Sequence, residues 1–568
     1  MGLKRMVSGQ SLRSRDRALN ACPTFVAPAL VLVVLGLVVA AACGRPAGTV
    51  SDGPGSASPA PHRGGTYNYP LQVDPGTLAP FSLIDGYDVA RQIYEGLVAY
   101  QLMENGTYAT VPLLAQSWTA NDDATVWTFR LRRGVRFQAP VDREVTAADV
   151  VADFRFGADA ANKSIVAYMY AILTGTDESG HAARPAGLGV EALDRYTVRF
   201  TLKQPFAAFP DTLGGAQAWV WPVDHLRRVG RARFGRQPVG TGPFVLSRWV
   251  RGDRIDLVRN PGWWDAASGG PYLDGVHFRI FPSVTAELLA FQKGLIDYTW
   301  VPQGQVAASR SLPQVKSGEW SARSLPWLTT AFVGFNMTDP VLGGAQGLPL
   351  RQAIDCAIDR GSLVAAVSDS VNIPQTGLVP PILAGWGEGV PAQAHDPARA
   401  TELYQAAGSP PLTVVCPDER FGKSVADWLS SACAAVEIPL RVRVISWATY
   451  VRQFATGRCP AMFLMAWGAD YPSADNFLYD MYSSEQSPYT SGTSYSDPDV
   501  DRLLTTARST TDPARRYDLN RRAAAEIMAD LPVIPLFEYA DYRLLSERIG
   551  GFTADPMGRV DMWTLWVR

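Results

Sequence analysis

Apolar and polar residues along this chain follow two periods, and the change from one to the other divides it. Trp127-Thr-Phe-Arg-Leu-Arg132 sets large apolar side chains at every second position, the pattern of a half-buried strand. Thr146-Ala-Ala-Asp149 then offers a hydroxyl with a carboxylate three residues on, close to a capping box, and predicts a helix start. A second pair of strands is expected around Tyr196 to Leu202 and Gly242 to Trp249, flanking a Gly/Arg-rich connection. Farther along, the spacing predicts helices from Leu350 to Arg360, Asp396 to Ala407, Lys423 to Val436, Tyr450 to Thr456 and Pro513 to Asp530. Strands at Leu412 to Val415, Leu440 to Ile445 and Ala461 to Trp467 fall between them. Strand and helix in alternation argue for an α/β lobe, while the earlier half is strand-rich, so the body reads as two unlike lobes.

One apolar run ends in an unusual way. Pro460 to Met465 reads as a short buried strand, and it runs into Ala466-Trp467-Gly468-Ala469-Asp470-Tyr471-Pro472. A carboxylate between aromatic rings at a strand tip either caps the following turn or meets a cation from outside.

The N-terminus carries a basic leader (Lys4, Arg5, Arg13, Arg15, Arg17), an uncharged apolar segment from about Thr24 to Ala42, and then Ala40-Ala41-Ala42-Cys43. That order makes a lipoprotein-type secretory signal over residues 1–43 with Cys43 as the lipidation site. At about 19 residues the segment is also near the length that spans a bilayer, which gives a retained membrane anchor as the competing reading. Residues 44–62 are mostly Gly, Ser, Pro and Ala, a composition that cannot bury enough apolar surface to fold, and are expected to be a disordered tether. The roughly 500 residues beyond it are too many for one core, so two or three domains are expected outside the cytoplasm.

A net charge of -2 points to no nucleic acid. The 16 Trp, 21 Tyr and 22 Phe are enough for a core with some left over for a ligand cavity. Outside the signal, Cys356, Cys416, Cys433 and Cys459 permit disulfides in three connectivities, and none shows a CxxC spacing. The five histidines are scattered, without HExxH or an i, i+4 pair, so no metal site is expected. Gly240-Thr-Gly-Pro-Phe244 lacks the lysine of a phosphate loop, and its glycines read as a tight turn. No GxSxG elbow is present, and no cofactor is implied. A catalytic reading therefore rests on nothing specific, and the chain is not expected to be an enzyme.

The order of short motifs resembles a known family. Arg63-Gly-Gly-Thr66, Asp74-Pro75, Tyr94-Glu-Gly-Leu97, Trp127-Thr-Phe, Val145-Thr-Ala-Ala-Asp-Val150 and Gly240-Thr-Gly-Pro-Phe244 come first. Asn260-Pro261 with Trp263-Trp264, Gly294-Leu-Ile-Asp297, Ala357-Ile-Asp-Arg360, Ala469-Asp-Tyr-Pro472 and Pro532-Val-Ile-Pro535 follow. Together they resemble the extracytoplasmic solute-binding proteins of ABC importers, in the class that includes oligopeptide and dipeptide binders, over nearly all of the mature chain. One departure is Ala139-Pro-Val-Asp-Arg-Glu144, where the family has a short Asp-Gly turn, which puts a surface hairpin in question.

The resemblance implies an α/β, two-lobed periplasmic-binding-protein-like fold with mixed sheets, an additional inserted domain and a hinge between the lobes. Lobe I would be built from 63–93, 211–325 and 537–568, the inserted smaller domain from 94–210, and lobe II from 326–536, with the hinge near Leu325 and Leu536. It implies a peptide ligand whose α-ammonium group meets Asp470, with Trp467, Trp447 and Tyr471 beside it and the Ile84-Asp85-Gly86 loop facing the peptide backbone. It also implies ABC permease subunits as partners, a lipid-anchored monomer, and no nucleic acid. A basic residue found three positions before the Trp in some oligopeptide binders is replaced here by Leu464, leaving Arg420 or Lys423 as candidates for a ligand carboxylate. Relatives with the same fold take oligosaccharides, haem or nickel complexes. Nickel is disfavoured because no His lies near the motif, and sugar stays open, as does a signalling receptor without transport.

Overall fold

A computed structural model describes residues 60–103, 105–383, 386, 394–418 and 420–568, the side chains of Arg420 and Phe421 aside. The expected signal, Cys43 and nearly all of the expected tether lie outside these residues, and no described helix is long and apolar enough to cross a membrane. The folded body, Pro61–Arg568, carries three large apolar cores and one small one.

The first lobe is organised by a four-stranded sheet in which Thr66–Leu71 lies parallel to Gly275–Ile280, followed by Arg254–Arg259 and Phe244–Val250 in antiparallel order. Its core gathers Tyr67, Phe244, Leu257 and Phe278 with the C-terminal Val560 and Leu565, all fully buried. A second four-stranded sheet, Ala115–Ala120, Val126–Leu131, Thr197–Thr201 and Val190–Asp194, packs under the helix Ala147–Ala158 around Phe129, Phe154 and Phe200. The capping box forms as expected: both the backbone N–H and the hydroxyl of Thr146 donate to Asp149, at 2.8 and 2.9 Å. The strands expected as a pair at Tyr196 and Gly242 belong to different sheets, because each finds a nearer hairpin partner, Val190–Asp194 and Arg254–Arg259 respectively.

The second lobe is built on a seven-stranded mixed sheet. Leu412–Pro417 lies parallel to Leu440–Ile445, and Met462–Gly468 sits beside them. Helices Arg420–Ala434 and Trp447–Ala455 pack on its strands, and Pro513–Asp530 packs on the helices Ala474–Tyr482 and Pro498–Ser509. The helix expected from Leu350 to Arg360 is split, because Asp359 caps a new helix, Arg360–Ser368, with bonds to the N–H groups of Gly361 and Ser362.

Two long antiparallel strands belong to this same sheet, Trp320–Phe335 and Val533–Ser546. Their N- and C-terminal halves pair as Trp320–Pro326 with Ser546–Ala540, then the register shifts before Thr330 pairs with Glu538. Residues 327–329 therefore leave the pairing with Val533–Ser546, and Thr329 pairs instead with Gly468 on the other side.

Two further expectations meet corrections. The glycines of Gly240-Thr-Gly are needed for close backbone approach: a Cβ at Gly240 would sit 2.1 Å from the Ile93 carbonyl oxygen, and one at Gly242 2.7 Å from that of Gln92. The hairpin at 139–144 does form, with Phe137 N–H donating to the Arg143 carbonyl and Arg136 bridged to Glu144. Among the described residues the four cysteines, Cys356, Cys416, Cys433 and Cys459, are all buried and unpaired with one another.

Candidate functional site

The gap left at residues 327–329 becomes the floor of a cavity of about 450 Å³. Leu328 donates its N–H to the Pro556 carbonyl of the first lobe and accepts from the Ala469 N–H of the second, at 3.2 and 2.7 Å. One wall is thus the strand tip Ala466–Asp470 with Trp447. The other is Tyr69, Tyr87, Asp88 and Arg543 with the C-terminal turn Met557–Arg559. Residues of both lobes line one space.

The strand-tip wall is fixed by a single buried amide. Asn476, fully buried in the first turn of the helix Ala474–Tyr482, accepts from the Trp467 indole at 3.3 Å and from the Asp470 backbone N–H at 3.0 Å, both through its Oδ1. Its carbonyl accepts from the same indole at 3.1 Å, and its amide nitrogen donates to Asp480 at 2.7 Å. Trp467 is buried while Asp470, two residues past the strand end, is half-buried at the cavity edge. Trp447 opens the helix Trp447–Ala455, which precedes that strand. Its N–H donates to Asp418, and its ring stacks on Tyr450 at 5.9 Å. It also borders a second, apolar recess of about 110 Å³ lined by Phe332, Leu464, Met465 and Leu536.

The opposite wall carries charge. Arg543, 5% exposed, donates to the Gly558 carbonyl at 2.9 Å and to Asp541 at 2.8 Å. Burial pulls its pKa down, but Tyr298, Tyr69 and Asp541 outweigh it and hold the guanidinium above its ordinary value. Burial raises the Asp88 carboxyl, against the pull of Arg91, Arg559 and Arg543. Arg559 lies with its guanidinium 3.8 Å from the Tyr87 ring centroid. The turn beneath it is tight: Asp555 N–H donates to the Arg559 carbonyl at 2.7 Å, and Gly558 has φ +73° with no room for a Cβ, which would lie 2.6 Å from Trp327 Nε1.

The sequence-based site is therefore brought together only in part. Asp470, Trp467 and Trp447 line the cavity. Tyr471 is not in its lining; it points into the neighbouring core, where it meets Phe206 edge-on and donates to Asp475 and Asp480. Ile84, Asp85 and Gly86 do not line it either, and Ile84 is 70% exposed. The next two residues, Tyr87 and Asp88, reach the cavity in their place. Lys423 is paired with exposed Asp427, and the Arg420 side chain lies outside the described residues. Sequence reading missed Asn476, Trp327, Arg543 and Arg559. The stretch Asp555-Pro-Met-Gly-Arg559 carries turn-forming residues, but nothing in it indicates which surface it faces. Among the described residues no cluster of His, Cys, Asp and Glu suits a metal ion.

Comparison with known proteins agrees with this geometry. Residues 109–489 match the family model of bacterial extracellular solute-binding proteins, family 5 middle. A dipeptide-binding protein of Pseudomonas aeruginosa is 25% identical over 515 residues, covering 86% of this chain and 92% of its own. A glutathione-binding protein of Shigella dysenteriae is 28% identical over 496 residues, covering 84% and 90%. Among solved structures, HbpA2 of Haemophilus parasuis superposes with a TM-score of 0.78 at 23% identity, over 89% of this chain and all of that one. The periplasmic binding protein DppA of Helicobacter pylori, in complex with the peptide STSA, gives 0.65 at 26% identity over 89% and 98%. The two-lobed α/β architecture with mixed sheets is the fold these proteins share.

Proposed function

The chain belongs to the bacterial extracellular solute-binding proteins of family 5, and from that premise we propose that it is a receptor that captures short peptides between its lobes and delivers them to an ABC permease. The observation that carries this is the cavity lined from both lobes, with Asp470 at the end of one wall and two tryptophans beside it. A peptide ammonium paired with a carboxylate in a closing, water-poor space gains far more than the same pair in bulk water, provided its protons are hydrogen-bonded. The apolar recess beside Trp447 suits an aliphatic side chain of the ligand.

The work of such a receptor is closure, not chemistry. A ligand shifts the lobes toward the closed state only by its difference in affinity between open and closed forms, so it must touch both walls at once. The crossing strands near Leu325 and Leu536 are where we place the hinge, since the ladder is already interrupted beside them. The lobe and inserted-domain boundaries given above, tethering by a lipid on Cys43 at the outer face of the membrane, and action as a monomer complete the reading. Mass spectrometry of what co-purifies with the native protein, followed by calorimetry against a di- to pentapeptide library, tests it. Recovery of peptides supports it; recovery of a glycan or porphyrin with no heat from any peptide overturns it.

A further inference from the structure

The cavity has an acid for an amine, and the question left is what receives the other end of a ligand. Lys423 is engaged with Asp427 away from the cavity lining. Arg543 lines the cavity, but one terminal nitrogen serves Gly558, the other Asp541, and its Nε is buried from solvent. It holds the C-terminal turn in place.

Arg559 is differently situated. Its side chain is 19% exposed, lines the cavity, and is stacked on Tyr87, which sets the plane of the guanidinium before any ligand arrives. Its nearest counter-charge, Asp555, is 3.9 Å away, at the limit of an ion pair. That carboxylate is already committed: Arg91 approaches to 3.2 Å, and the N–H groups of Met557 and Arg559 both donate to it at 2.9 Å. Among the described residues the Arg559 guanidinium donates no hydrogen bond to protein, so a five-donor fork stands at the wall of the cavity. A planar carboxylate is the group that matches such a fork bidentately.

We propose that Arg559 is the receiving group for the ligand's carboxylate, so that this cavity selects zwitterionic peptides with a free C-terminus. The proposal rests on the peptide reading above. Its consequence for closure is direct: Asp470 belongs to one lobe and Arg559 to the other, so the two ends of a zwitterion attach to opposite walls. A ligand lacking either charge loses its grip on one lobe and with it part of the drive to close.

The test uses the full chain and a library of di- to pentapeptides prepared in pairs, each with a free carboxylate and as its C-terminal amide. In the wild-type protein amidation should weaken binding by about ten- to a hundred-fold, the range for a hydrogen bond to a charged partner. In Arg559→Met the penalty for amidation should vanish, and in Arg559→Lys, which keeps the charge but not the fork, it should fall between. Thermal midpoints of both variants report that the fold is retained. Equal amidation penalties in wild type and Arg559→Met would overturn this assignment while leaving the peptide reading standing. Failure of every free peptide to bind the wild type would overturn both.

Discussion

Replacing Asp470 by Asn removes one charge from the cavity and almost no volume, so it isolates the electrostatic part of recognition. The side chain is half-buried at the end of Met462–Gly468, and its backbone N–H is held by buried Asn476 at 3.0 Å, a bond that the substitution leaves in place. An ammonium at about 4 Å from a carboxylate, in surroundings of effective dielectric ~20 to 40, interacts by about 2–4 kcal/mol. Loss of that energy corresponds to a weakening of about 30- to 1,000-fold in Kd. The assay is calorimetry of wild type and Asp470→Asn with a bound library peptide and its N-acetyl derivative. The free peptide should lose affinity in the variant by that factor. The acetylated one, already weak, should lose much less, because it has no charge to lose contact with. Equal losses for both ligands, or none for either, would refute the reasoning that Asp470 acts by its charge on an amine.

Other expectations follow from particular residues. Glu538, 1% exposed and without a partner for Oε1, has its pKa pushed up by burial to about 8. Below the usual carboxyl range both folded and unfolded states hold the proton. As pH rises from about 4.5 toward 8 only the unfolded state releases it, so stability falls across that window and levels off above it. Glu538→Gln should flatten this decline in thermal midpoint and stabilise the protein by about 3 kcal/mol at pH 7; an unchanged pH profile would show that the group ionises normally. Gly558→Ala forces a side chain into a left-handed turn against Trp327, at a cost of about 1–3 kcal/mol, and should displace Arg559 enough to weaken peptide binding; wild-type affinity would contradict it. Burial raises the thiols of Cys433 and Cys459 to about 12 and that of Cys356 to about 11. These three and Cys416 should therefore resist a thiol reagent until the protein unfolds, and a reductant should not shift the thermal midpoint.

The parts legible in the sequence are those set by local pattern. The helix expected from Pro513 to Asp530 and the strand from Leu440 to Ile445 are found at those bounds, because strong periodicity and capping residues fix them from within. The crossing strands were not foreseen. Trp320–Phe335 contains Pro326 and an interrupted register, and its reason for being extended is a partner more than 200 residues away. The same holds at the site. Asp470 and Trp467 sit on a strand tip whose apolar run announces it. Tyr471 has the same aromatic character but the opposite face, and a strand exit does not say which side turns toward another domain. Arg559 and Arg543 lie on an ordinary-looking C-terminal stretch, and only the return of that chain to Leu328 brings them to the cavity.

The central claim is that a peptide joins two walls and draws them together. Small-angle X-ray scattering of the full protein with and without a bound library peptide measures this without altering a residue. The radius of gyration should fall on adding the free peptide and stay at its unliganded value with the N-acetylated, amidated form of the same sequence. A peptide that binds by calorimetry yet leaves the scattering curve unchanged would contradict the account.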